Sequence, residues 1–170
     1  AKATTTNAAA AAHGTTAGGG LGILLCSDYA VVGSRSKIGS LYGNIGLTPD
    51  LSVSAQLARA IGERRALQLV LQDQLLTADE AVQWGLVAES VEGADAADEA
   101  ERVRARAEEI AGFWVSGAAG AYGQAKRLIR SQPTRSLAQQ LDEEARSIGE
   151  AFDTADAQAR ITAFAARSKR

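Results

Sequence analysis

Four glycines fall within the seven residues Gly14–Gly20 (GTTAGGG), with a run of alanines before them and an apolar stretch after. No helix or strand interior carries that density of glycine, so the chain must turn there and the two flanks must belong to different elements. Ala8–His13 reads as a short buried strand of small apolar residues, and Leu21–Cys26 as an apolar helix with a glycine-rich start. Tyr29–Val32, β-branched and aromatic and ended by Gly33, reads as a second strand. Strand, glycine elbow, helix and strand in that order make a βαβ unit.

The same punctuation divides the rest of the chain. Lys37–Ser40 can form another short strand, and Leu41–Pro49, holding Gly43, Asn44, Gly46 and Pro49, is expected to be an ordered loop. Asp50 or Ser52 is placed to cap a helix carrying Leu57 and Ile61, which Gly62 would end before a second helix over Glu63–Leu71. Thr77-Ala78-Asp79-Glu80 has the capping-box pattern, so a helix should start there, stop at Gly85 and lead to a strand over Leu86–Val91. From Ala94 onward the pattern is helical, with breaks expected at Gly112, Ser116–Gly120 and Pro133. Asp95–Glu109 mixes both signs of charge as a solvated helix face would. In Ser136–Phe152 the apolar residues Leu137, Leu141, Ala145, Ile148 and Phe152 share one face, which predicts an amphipathic helix with that face buried.

Composition removes several function classes. Eighteen basic against twenty acidic side chains leave a net charge of −2, which offers nothing to nucleic acid. A lone Cys26, read as a buried small hydrophobe, excludes an internal disulfide or a thiolate cluster, and a lone His13, read as a turn or core residue, removes the common zinc and triad chemistries. Trp84 and Trp114, among apolar neighbours, read as core or subunit-contact residues. The apolar run Leu21–Val32 is interrupted by Ser27 and Asp28 and is too short to span a membrane. The opening AKATTTNAAAAA lacks the pattern of a secretory signal, so the chain is expected to be cytoplasmic.

GTTAGGGLGILLCSDYAV, GLTPD, LARAIGERRALQLVL and EAVQWGLV, in this order and closed by AFAARSKR, resemble the crotonase family of enoyl-CoA hydratases, isomerases and their relatives. The resemblance implies an α/β fold, a spiral of ββα units, with residues 1–92 as a partial spiral core and residues 93–170 as a helical region that drives assembly into a homotrimer or a hexamer. Family members carry a further N-terminal third ahead of the glycine motif, so the chain is expected to be a fragment of a longer protein. The resemblance also implies an acyl-CoA substrate, with coenzyme A present only as part of that thioester, no covalently bound cofactor and no metal.

The shared step of the family is formation of an oxyanion on the thioester, which two backbone N–H groups must stabilise. By position in the motif Gly19, beside Gly18, resembles one of those donors, with the helix N-terminus adding its dipole; the other belongs to the absent third. Taken alone, GGGLG would be a close-packing turn. Hydratases place one glutamate just after the glycines and a second before the proline. Here those positions hold Gly22 and Tyr42, which argues against hydration because two carboxylates are needed to position and split water.

Asp50 in GLTPD coincides with the single aspartate of two branches. In the double-bond isomerases it would take a proton from an enolisable acyl-CoA and return it two carbons away. In the chlorobenzoyl-CoA dehalogenases it would attack a ring carbon as a nucleophile, forming an aryl ester that water hydrolyses. Tyr42 stands where those dehalogenases have a tryptophan. Helix capping remains the competing role for Asp50. Leu21, Leu41 and Tyr42 are expected to line the acyl pocket, and Phe164 and Lys169 to reach the coenzyme A adenine and phosphates, though Arg167, Lys169 and Arg170 read equally as a solvated tail. The loss of both glutamates also allows a non-catalytic acyl-CoA-binding or structural member, as does Ser52-Val53-Ser54 in place of the family's Gly-Gly pair.

Overall fold

The computed structural model describes residues 6–167, which form two compact units: residues 8–111, and residues 6–7 together with 112–167. In the first unit β1 (Ala9–Ala12), β3 (Tyr29–Gly33) and β6 (Glu89–Val91) make an all-parallel sheet in the order β1-β3-β6. The second sheet, ordered β2-β4-β5, contains β2 (Thr15–Ala17), β4 (Lys37–Gly39) and β5 (Leu75–Thr77), with β2 parallel and β5 antiparallel to β4. Consecutive strands enter different sheets: β1 and β2 precede helix α1 (Gly19–Cys26), and β3 and β4 precede helix α2 (Val53–Leu71). Each turn therefore lays one strand in each sheet and one helix beside them, which is the ββα spiral.

The core lies among these layers. Leu21, Val32, Ile38, Val53, Leu57, Leu69 and Leu76 are buried together, and a smaller cluster of Val31, Val103 and Ala107 joins β3 to helix α4 (Ala96–Ser116). At Gly62 the backbone of α2 leaves helical geometry, so 53–71 is two helices meeting at a kink, as the glycine predicted. Thr77 forms the expected capping box with Glu80, and helix α3 (Ala78–Trp84) ends on Gly85.

Several expectations fail for identifiable reasons. The glycine run is not a simple turn, since Thr15–Ala17 pairs with β4 and α1 already begins at Gly19. β1 is half-buried rather than buried. The strand expected over Leu86–Val91 is confined to Glu89–Val91, because Leu86 and Val87 turn into the core straight after Gly85. β5 carries no sequence signal of its own: its last residue, Thr77, is also the capping residue of α3, and three residues show no alternation to recognise. Cys26 is exposed at the end of α1 rather than buried. Gly112 does not break α4, consistent with a cost of only about 1 kcal/mol for one glycine inside a long helix.

The second unit contains helices α5 (Ala119–Ser131), α6 (Leu137–Phe152) and α7 (Ala155–Arg167), with a 3₁₀ turn at Gln132–Thr134. Here the amphipathic reading is inverted. Leu137, Leu141, Ile148 and Phe152 are exposed, whereas Gln140, Glu143 and Ser147 of the same helix are buried. Glu143 accepts a 2.5 Å hydrogen bond from Arg127 of α5 and also pairs with Arg146, so ionic partners select the polar face of α6 for contact. Among the described residues no helix is long and apolar enough to cross a membrane.

Candidate active site

Two segments of the first unit meet at the N-terminus of α1. Gly18, the N-cap, has φ 55° and ψ −127°, which a side chain would oppose. Its N–H donates to the Ser40 carbonyl at 3.0 Å, tying the glycine turn to the end of β4. The half-buried Gly19 follows as the first helical residue, and its N–H has no partner among the described residues. It is the kind of unpaired donor at a helix start that an anionic oxygen can use.

The facing segment is the loop from Leu41 to Ser52. Leu41 lies half-buried at φ 55° and leads into the buried Tyr42, whose carbonyl accepts from Ile45 N–H at 3.2 Å and from Leu47 N–H at 3.0 Å. At the far end the Tyr42 hydroxyl donates to Asp50 Oδ1. That hydrogen bond, with burial adding to it, holds the tyrosine hydroxyl above its ordinary pKa of 10.0, against an opposing contact with the Asp50 backbone. Asp50 does not cap α2. Ser52 takes the N-cap position, and neither side chain caps the helix. The local role that competed with chemistry for Asp50 is therefore absent.

Leu51 and Ser52 both adopt left-handed backbone, with φ of 45° and 65°, a conformation that costs a non-glycine residue about 1–2 kcal/mol. The strained loop is seated on the glycine face of α1. A Cβ on Gly22 would lie 2.7 Å from Leu51 Cβ and 2.8 Å from Leu51 O, and a Cβ on Gly19 would lie 3.1 Å from Leu51 Cδ1. Leu51 was missed as a site residue by sequence reasoning; the signal for it was Gly22 itself, a glycine inside an apolar helix, where only a close neighbour explains the missing side chain. Leu51 occupies the space that side chain would need.

The remaining expected residues divide. Leu21 is sealed in the core with no exposed surface, so it backs the site instead of presenting a face to a ligand; α1 turns it inward toward the sheets. Phe164 is exposed on α7 of the second unit, and Lys169 lies outside the described residues. His13 is exposed in the turn between β1 and β2. Trp84 packs partly buried against the main core, with the Arg65 guanidinium 5.4 Å from its ring centroid.

A ββα spiral that sets a glycine-rich helix start beside one carboxylate-bearing loop has the architecture of the crotonase fold. The family profile described as enoyl-CoA hydratase/isomerase matches residues 4–170. The chain is 31% identical over 160 residues to a short-chain-enoyl-CoA hydratase of Clostridium acetobutylicum, covering 94% of this chain and 59% of that protein. It is 42% identical over 78 residues to 4-chlorobenzoyl coenzyme A dehalogenase-1 of an Arthrobacter species, covering 46% of this chain and 28% of the relative. An enoyl-CoA hydratase/isomerase structure from Cupriavidus metallidurans superposes with a TM-score of 0.81 at 30% identity, over 91% of this chain and 56% of the other. The chain belongs to the enoyl-CoA hydratase/isomerase family. It spans about six-tenths, or less, of the length of these relatives.

Proposed function

We propose that the protein shifts a double bond in an acyl-CoA thioester through an oxyanion-stabilised dienolate, with Asp50 as the acid and base. The observation that carries this reading is the Asp50 carboxylate, free of any capping duty and hydrogen-bonded by Tyr42, on a loop packed against the Gly19 helix start. Gly19 N–H donates to the thioester oxygen as negative charge develops on it. Gly18 shapes the turn, Leu41 and the ring of Tyr42 line the acyl side, and Leu21 supports them from behind. Asp50 removes a proton next to the thioester and returns it two carbons away, a reaction for which one carboxylate suffices.

Two local features disfavour hydration. Tyr42 supplies no carboxylate, and a glutamate at position 22 would collide with Leu51, so the pair that holds and splits water is missing. The similarity to the Clostridium hydratase concerns the fold and the shared thioester chemistry. In this proposal residues 93–170 serve assembly into a homotrimer or hexamer, with Phe164 and Lys169 reaching the coenzyme A adenine and phosphates. The substrate is soluble acyl-CoA in the cytoplasm, with no bound cofactor. The local similarity to the Arthrobacter dehalogenase supports a second reading, in which Asp50 attacks an aroyl-CoA ring carbon and water later cleaves the ester.

The test is solvent exchange. The intact protein is incubated with a 3-enoyl-CoA in deuterated water, and label at the two carbons is followed by NMR. Native protein is expected to introduce label, and Asp50→Asn to slow this by about 10²- to 10⁴-fold. No label with either protein sinks the isomerase reading and leaves aryl substitution or a non-catalytic acyl-CoA-binding role. Those two separate by whether 4-chlorobenzoyl-CoA releases chloride.

A further inference from the structure

We propose that Tyr42 is the positioning residue of this site: its hydroxyl pins Asp50 Oδ1, so that proton transfer runs through Oδ2 alone, while its ring braces the glycine turn that carries Gly19. The inference rests on the proton-shuttle reading of Asp50. It adds a residue whose hydroxyl acts on the base and not on the thioester.

The geometry begins with what Asp50 lacks. It is exposed, and its loop continues into two left-handed residues. Among the described residues only Tyr42 hydrogen-bonds its carboxylate. A carboxylate in that situation has several staggered rotamers open to it, and a base that wanders by about 1 Å loses much of its rate. Tyr42 is the opposite. It is 7% exposed, belongs to the main core cluster, and has only two side-chain torsions to fix. A buried donor bonded to an exposed acceptor selects one orientation of the acceptor.

Tyr42 also holds both ends of the loop. Its carbonyl closes the 3₁₀ turn at Gly43–Ile45 through Ile45 and Leu47, and its hydroxyl fixes Asp50 eight residues along the chain. Its ring atom Cζ comes within 4.0 Å of the Cβ position of Gly18, so the ring backs the turn that orients the Gly19 N–H. Acid/base group and oxyanion donor are thus referenced to one rigid side chain. With Oδ1 engaged by the phenol, Oδ2 is the oxygen left to accept and return the proton. No proton leaves the phenol in this scheme; it remains on the tyrosine oxygen throughout.

The experiment compares Tyr42→Phe with site-specific incorporation of 3-fluorotyrosine and 3,5-difluorotyrosine at position 42. The readout is the saturable rate of deuterium entry into a 3-enoyl-CoA, resolved into kcat and KM. Phenylalanine keeps the ring and removes the donor. It is expected to lower kcat by about 10- to 100-fold, the range for a lost hydrogen bond to a charged group, and to leave KM within about twofold because thioester contacts persist. The fluorinated phenols keep the shape and change donor strength, so kcat should vary in order with phenol acidity, a dependence that packing alone would not produce. Unchanged kcat in Tyr42→Phe overturns the inference while leaving Asp50 as the base. A kcat insensitive to fluorination also overturns it, reducing Tyr42 to a packing residue. Absence of label with the native protein overturns both the shuttle reading and this one, and Asp50→Asn measured alongside separates that outcome from the others.

Discussion

The spiral unit and the helical unit bury their sequences in opposite ways. In residues 8–111 the core is made of apolar side chains: Leu21, Ile38, Leu57 and Leu69 are at most 1% exposed. In residues 112–167 the best amphipathic pattern of the chain puts Leu137, Leu141, Ile148 and Phe152 at 55–76% exposure and buries Gln140, Glu143 and Ser147. The first unit builds an apolar core from its own chain, although Ile23, Ile45 and Leu71 stay exposed at its surface. The second presents a contiguous apolar helix face of the kind that marks an interaction surface. Periodicity reports that a face will be covered; it does not say by what.

Alanine substitutions break this comparison most directly. Leu57→Ala removes a fully packed side chain between α2 and the sheets and is expected to cost about 2–5 kcal/mol, lowering the urea midpoint markedly. Leu141→Ala, the same chemical change on the exposed face, is expected to cost less than about 0.5 kcal/mol when the protein is dilute. Equal losses would mean that α6 has a cover within its own protomer. The comparison sharpens when a charge is placed on that face. Ile148→Asp should leave the far-ultraviolet circular dichroism intact and shift sedimentation toward smaller species if, as we propose, the helical region drives assembly. An unchanged sedimentation profile would remove α6 from the assembly surface.

How much of this was legible beforehand follows the same division. Gly62, Thr77 and Gly85 each act through local backbone chemistry, and each was read correctly from a few neighbouring residues. The glycine turn and Asp50 were found through motif order, which spacing alone would not have supported. What escaped depended on partners distant in sequence. β2 and β5 exist because β4 lies between them, and three-residue strands have no periodicity of their own. The contact between Leu51 and Gly22 joins residues 29 apart and shows only when α1 and the loop are placed together. The Tyr42 hydroxyl on Asp50 escaped for a different reason: the resemblance placed Tyr42 at a missing glutamate and at a dehalogenase tryptophan beside the aspartate, and neither match says that a phenol here donates to Asp50. The burial of Glu143 required Arg127 of another helix.

The smallest predicted effect tests whether local signals behave alike in both units. Each contains one complete capping box, Thr77 with Glu80 in the spiral and Ser136 with Gln139 in the helical unit. A cap satisfies backbone N–H groups of its own helix and needs no tertiary cover, so Thr77→Ala and Ser136→Ala should each cost about 1 kcal/mol despite the contrast in packing around them. Acid separates the two. The Thr77 backbone N–H, then its hydroxyl, hold the Glu80 carboxyl below its ordinary value of 4.5. Its contribution is therefore fully present above pH 4.5 and is lost as pH falls through the lower folded value. Gln139 carries no charge, so the second box should be indifferent over the same range. Urea midpoints measured from pH 6 down to pH 3 should show the penalty of Thr77→Ala falling only by the share its hydroxyl contributes to the Glu80 carboxylate, since the bond it accepts from Glu80 N–H persists at any pH, while the penalty of Ser136→Ala stays constant. Parallel behaviour of the two variants would mean that the Thr77 box draws its stability from the hydroxyl alone, and that the carboxylate of Glu80 is only a neighbour to it.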